Sequence, residues 1–149
     1  MFFAGCSMSD DDDDVVERVG VGDRVPLFEV SVVTASGYDT FSTASLKGRT
    51  VIIFFNTSCT DCQRELPRLE AYYRQHCTES DFQLVAISRE ESAESVAAYW
   101  QQHQFTMPYA AQTDRHIYNL FASSVIPRVY VCQDDRVERI YVERLDDSL

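Results

Sequence analysis

The sequence predicts an α/β domain: a central mixed β-sheet flanked by helices and opened by a β-hairpin. Three observations carry this expectation. Residues 49–55, Arg-Thr-Val-Ile-Ile-Phe-Phe, are apolar without alternation after the first two positions, as in a strand buried on both faces. Apolar spacing then turns helical from Cys62, with Leu66, Leu69 and Tyr73 sharing its face and Gln63, Arg64, Arg68 and Arg74 pointing elsewhere. A second strand pattern at residues 82–87 and a second helix pattern at residues 90–103, with Val96, Tyr99 and Trp100 on its apolar stripe, complete a βαβα order.

The flanking elements follow from local chemistry. Phe28-Glu29-Val30-Ser31-Val32 alternates apolar with polar, Ala35-Ser36-Gly37 supplies a turn, and residues 38–41 return as the second arm of a hairpin. Residues 42–47 read as a short helix or turn ended by Gly48. Residues 109–111 form a short extended piece. Asp114 is placed to cap a helix running through Phe121, with Ile117, Leu120 and Phe121 inward. Residues 129–132 and 137–142 form a closing antiparallel hairpin around the turn at residues 133–136.

A chain of 149 residues with 45% hydrophobic side chains supports one domain. That domain is expected over residues 21–149, with residues 1–20 as a tether. The run of aspartates at residues 10–14 is too charged to pack. The longest apolar run, residues 51–55, is far shorter than the roughly 20 residues of a membrane-spanning helix. A formal net charge of -11 repels phosphate backbones and anionic headgroups, which excludes nucleic acid as a partner.

The five cysteines divide by context. Cys77 ends a helical pattern and Cys132 sits inside a strand pattern, where buried free thiols are expected. Cys6 closes Phe3-Ala4-Gly5-Cys6, which resembles a bacterial lipobox. That resemblance implies lipidation at Cys6, membrane association by lipid anchor only, and a place in the cell envelope outside the cytoplasm.

Cys59 and Cys62 form a CxxC where a buried strand meets a helix. Cys59 would lie at the helix N-terminus, where unpaired N–H groups and the helix dipole favour a thiolate. Cys62 lies about one turn on, where its sulfur can resolve a mixed disulfide formed at Cys59. Structural zinc, the competing use of CxxC, fails on ligand count: His76 has no second histidine at finger spacing, and Cys77 beside it is poorly placed to join it. No metal or other cofactor is expected.

The segment Phe54-Phe55-Asn56-Thr57-Ser58-Cys59-Thr60-Asp61-Cys62-Gln63-Arg64-Glu65-Leu66-Pro67 resembles the active site of TlpA/ResA-like reductases. The likeness extends from Val21 to about Glu143 and implies a thioredoxin-like fold. It implies that Ile126-Pro127 is cis and faces the CxxC, where a proline without N–H leaves the Ile126 backbone to pair with an extended substrate. It also implies that Glu65 is an acid near the thiols that influences their proton transfer. Pro67 shapes the helix. Ser58 stands where the family commonly has Trp. Thr60 and Asp61 replace its frequent proline-containing pair, and join Ile126 and Pro127 as expected substrate-facing residues. A negative Asp61 should oppose thiolate formation at Cys59, which fits reduction better than oxidation.

The function expected is reduction of disulfides in exported proteins by a monomer, with protein clients and a thiol electron donor as partners. Two alternatives stand beside it. A thioredoxin-fold peroxidase would resemble Pro-x-x-x-Thr-x-x-Cys, but Asn56 occupies the threonine position and no proline precedes it suitably. A cell-surface binding scaffold would use the fold without the chemistry.

Overall fold

The computed structural model describes residues 17–149. The lipobox expected at Cys6 and the aspartates at residues 10–14 lie outside them.

Strands β1 (Glu29–Thr34) and β2 (Gly37–Ser42) form the expected hairpin. After them come β3 (Arg49–Phe55), helix α1 (Thr60–His76), β4 (Phe82–Ser88), helix α2 (Ala93–His103), β5 (Tyr109–Ala110), β6 (Arg128–Gln133) and β7 (Arg136–Val142). They make one sheet in the order β2-β1-β5-β4-β3-β6-β7. β3 is central, parallel to β4 and antiparallel to β6. Its continuous apolar run serves two cores. Ile52 and Phe54 enter one face, while Val51, Ile53 and Phe55 enter the other with Leu66 and Leu69 of α1 and Val96 and Trp100 of α2. Each such fully buried side chain contributes about 1.5–3 kcal/mol.

Gly48, before β3, has φ +67°, and a Cβ there would lie 2.1 Å from the Asp81 carbonyl oxygen. Only glycine allows that approach.

Three expectations need correction. The helix from Asp114 to Phe121 shrinks to one 3₁₀ turn at Tyr118–Leu120. Asp114 does accept the His116 N–H at 2.9 Å, but the following bonds tighten to Leu120 N–H on Ile117 and Phe121 N–H on Tyr118. This turns Tyr118 inward and leaves Leu120 exposed. α2 starts at Ala93 instead of residue 90, because Glu90 takes φ +58° and Ser92 Oγ caps the Ser95 N–H at 3.2 Å.

The third correction concerns residues 17–20, which pack on the domain instead of belonging to a tether. The Arg18 N–H donates to Phe121 O at 2.9 Å, Glu17 bridges Ala122, and Val19 is buried. The Glu17 carboxylate accepts from Tyr130 Oη at 2.5 Å and pairs with Arg128, whose side chain is fully buried. A guanidinium in that position demands a counter-charge, and residues 17–20 bring one.

Candidate active site

β3 ends at Phe55, and Asn56-Thr57-Ser58 turns the chain into α1 with Cys59 as its N-cap. The Cys62 N–H donates to Cys59 Sγ at 3.4 Å, so the sulfur takes one of the helix's unpaired donors. The Cys59 thiol in turn donates to Ile126 O at 3.8 Å. Cys59 is partly exposed, whereas Cys62 is completely buried. Burial pushes the Cys62 thiol well above the usual cysteine range, and a hydrogen bond from the Asn56 backbone only partly offsets this. Both cysteines are free thiols, and the Ile126–Pro127 bond is cis.

The turn before Cys59 is held from two sides. Asn56 Oδ1 accepts the Ser58 N–H at 2.9 Å and Ser58 Oγ–H at 2.6 Å, while Asn56 Nδ2 donates to Arg89 O at 3.0 Å. The buried Glu91 carboxylate accepts the Thr57 N–H at 2.7 Å and Ser95 Oγ–H at 2.5 Å, and also meets Thr57 Oγ1. Gln63 Nε2 donates to Thr57 O at 2.8 Å. An open cleft of about 470 Å³ is lined by Asn56, Ser58, Cys59, Arg89, Val125 and Ile126. A partly exposed thiol and the Ile126 backbone thus meet at one opening, with a second, buried thiol behind Cys59.

Residues 21–139 match the AhpC/TSA family. The chain belongs to that family. Solved structures of similar fold include a provisionally named protein disulfide isomerase from Bacteroides thetaiotaomicron, 21% identical, with TM-score 0.81 over 89% of this chain and 85% of that one. A thiol:disulfide interchange protein from Chlorobium tepidum is 25% identical, with TM-score 0.66 over 82% and 86%. Mycobacterium tuberculosis AhpC shares the fold at 11% identity, with TM-score 0.64 over 88% and 85%. Curated protein sequences gave no match. The chain therefore has a thioredoxin-like fold and the character of a thiol–disulfide oxidoreductase, a redox enzyme.

In this AhpC/TSA member Glu65 is engaged by cations. Its carboxylate, 2% exposed, accepts from Arg64 Nε at 2.6 Å, Arg68 Nη1 at 3.1 Å and the Leu145 N–H at 3.4 Å. Arg64 and Arg68 also donate to Glu143 O and Leu145 O, both at 3.0 Å. Glu65 thus pins the segment after β7 across α1. Asp61 pairs with Arg64 Nη1 at 2.8 Å, so its charge meets a cation as well as the thiols. Thr60 opens α1 on the exposed side.

Cys132 is buried as expected, and burial pushes its thiol up to about 12. Cys77 departs from expectation: it follows the last turn of α1 and is exposed. The apolar stripe that places Tyr72 in the core rotates Cys77 outward. Among the described residues no group of three or more His, Cys, Asp or Glu side chains is arranged to hold a metal, and no helix is long and apolar enough to cross a membrane.

Sequence reading missed Asn56, Arg89 and Glu91. The Asn-x-Ser turn signature at residues 56–58 was available for the first. Arg89 and Glu91 follow the neighbouring strand β4, about 30 residues on in sequence, and nothing local ties them to Cys59.

Proposed function

We propose that the protein reduces disulfides of exported proteins in the cell envelope. The supporting observation is the asymmetry of the CxxC: Cys59 opens to the cleft at a helix N-terminus, while Cys62 is buried one turn behind it. The Cys59 thiolate attacks one client sulfur, the client S–S bond breaks, and the first client thiol leaves with a proton. Cys62 then attacks Cys59 in the mixed disulfide, forming Cys59–Cys62 and releasing the second thiol. Two electrons pass to the client, and a thiol donor restores the dithiol. Ile126 and Pro127 offer the backbone on which an extended client lies, with Thr60 and Asp61 at its flank. Lipid attachment at Cys6 would keep the enzyme at the membrane.

Insulin reduction measured beside hydrogen peroxide consumption tests this reading. Turnover in the first assay and none in the second is expected. Peroxide consumption without insulin reduction would favour the peroxidase that the family also accommodates, and silence in both would favour a binding scaffold.

A further inference from the structure

The cleft at Cys59 holds a cation that the exchange chemistry leaves unused. Arg89 follows β4, its N–H donating to Phe55 O at 3.0 Å and its carbonyl accepting from Asn56, so its backbone is fixed against the turn that carries the nucleophile. Its guanidinium lies over the Tyr118 ring, with Cζ 4.7 Å from the centroid. Among the described residues it makes no side-chain hydrogen bond and no ion pair, and Nη1 is buried without a partner.

An unmet buried donor is costly and is uncommon in folded proteins. The neighbouring cations are satisfied. Arg115, also against Tyr118, faces Glu90 at 3.9 Å and donates to Ser123 O; Arg128 pairs with Glu17. Glu90 and Glu143 line the same cleft, yet neither pairs with Arg89. Tyr118 keeps the guanidinium in place while leaving its N–H groups unspent, since its hydroxyl donates to Val125 O instead.

We propose that the Cys59 cleft selects disulfides carrying a carboxylate beside the scissile bond, and that Arg89 receives that carboxylate. This rests on Cys59 being the attacking thiol. A carboxylate in the cleft meets the half-buried Arg89 side chain that lines it, and no existing hydrogen bond or ion pair of Arg89 has to break. The contact forms in the encounter complex and fixes which disulfide is presented to Cys59; the exchange step is unchanged.

The test compares two small disulfides reacting with the reduced protein in stopped flow. One is 5,5′-dithiobis(2-nitrobenzoate), which carries a carboxylate on each ring, and the other is neutral 4,4′-dithiodipyridine. Only the phase lost in Cys59→Ser is scored. A weaker thiolate at Cys59 would slow both reagents alike, so the ratio of their rates isolates recognition. Arg89→Gln should lower the anionic-to-neutral ratio about tenfold, and Arg89→Lys should restore part of it. Oxidised peptides with Glu or Gln beside the cysteine, and oxidised glutathione beside its ethyl ester, then distinguish a client side chain from a free small-molecule carboxylate. An unchanged ratio in Arg89→Gln, with both reagents still reduced through Cys59, overturns the proposal alone. Absence of any Cys59-dependent phase in the wild type overturns the reductase reading on which it stands.

Discussion

Cys59 and Ile126 meet at 3.8 Å, thiol to carbonyl, although 67 residues separate them. The contact puts Cys59 Sγ beside a backbone carbonyl of a residue that lines the cleft, while Cys62 reaches Cys59 from behind through its own N–H. The two thiols should therefore behave differently in trapping. Cys62→Ser should accumulate a mixed disulfide through Cys59, because attack survives and resolution is lost. Cys59→Ser should trap nothing. Non-reducing gels of both variants with oxidised client protein decide this, and trapping through Cys62 alone would reverse the assigned roles.

Native-state alkylation should sort the described cysteines by burial. Cys59 and Cys77 should react with a maleimide within minutes, whereas Cys62 and Cys132 should be protected until the protein unfolds. Peptide mass mapping after a timed pulse reads all four. Early labelling at Cys132 would show that the β6 face opens readily, against its packing between Tyr130 and Val137.

The strand feeding Cys59, the helix behind it and the closing hairpin were legible because periodicity is local and strong there. β3 shows an unbroken apolar run, and Cys62, Leu66 and Leu69 recur at helical spacing. The turn of residues 114–121 was misread because its apolar spacing fits a helix while Tyr118, not Leu120, fills the core. Glu17 was misread because acidic residues precede it, and its use depends on Arg128, 111 residues away. The same limit hid Glu91 and Arg89. Long-range polar partners have no period, so composition and spacing cannot find them.

Glu17→Ala should cost about 3 kcal/mol, since it strands the buried Arg128 guanidinium without a carboxylate. Chains starting at residue 17 and at residue 21 give a second handle. The longer should keep wild-type stability, and the shorter should unfold at clearly lower urea. Equal midpoints for the two truncations would mean that residues 17–20 contribute nothing, whatever contacts they make.

Glu65→Gln should act through the segment after β7. The neutral amide loses its charge-assisted bonds to Arg64 and Arg68. Amide exchange should speed at Leu145, whose N–H it holds, before it speeds in β3. Because two guanidiniums already offset the carboxylate, the pH profile of Cys59 alkylation should stay in place. A displaced profile with unchanged exchange at Leu145 would make Glu65 a group that tunes the thiols.

Glu70 should supply part of the acid sensitivity of the fold. Its buried carboxylate lies on α1 and accepts from Arg74 Nε at 2.6 Å, from the Thr106 N–H at 2.9 Å and from the Met107 N–H at 3.0 Å, so it ties α1 to the segment between α2 and β5. Burial alone would raise its pKa. The bonds from Arg74, Thr106 and Met107 outweigh burial and hold the carboxyl below its ordinary value of 4.5. A carboxylate with a depressed folded-state pKa contributes its full stability above the unfolded value, and loses it as pH falls through the folded value. Denaturant midpoints of the wild type should therefore decline below about pH 4.5 with a share of the slope due to Glu70. Glu70→Gln cannot ionise: it should be less stable by about 2 kcal/mol at pH 7, and its curve should approach the wild-type curve as pH falls towards 3. The difference between the two curves removes the contribution of every other carboxylate. A gap that stays constant from pH 7 to pH 3 would show that Glu70 is not protonated on unfolding in this range, and that its bonds stabilise the fold without coupling it to acid.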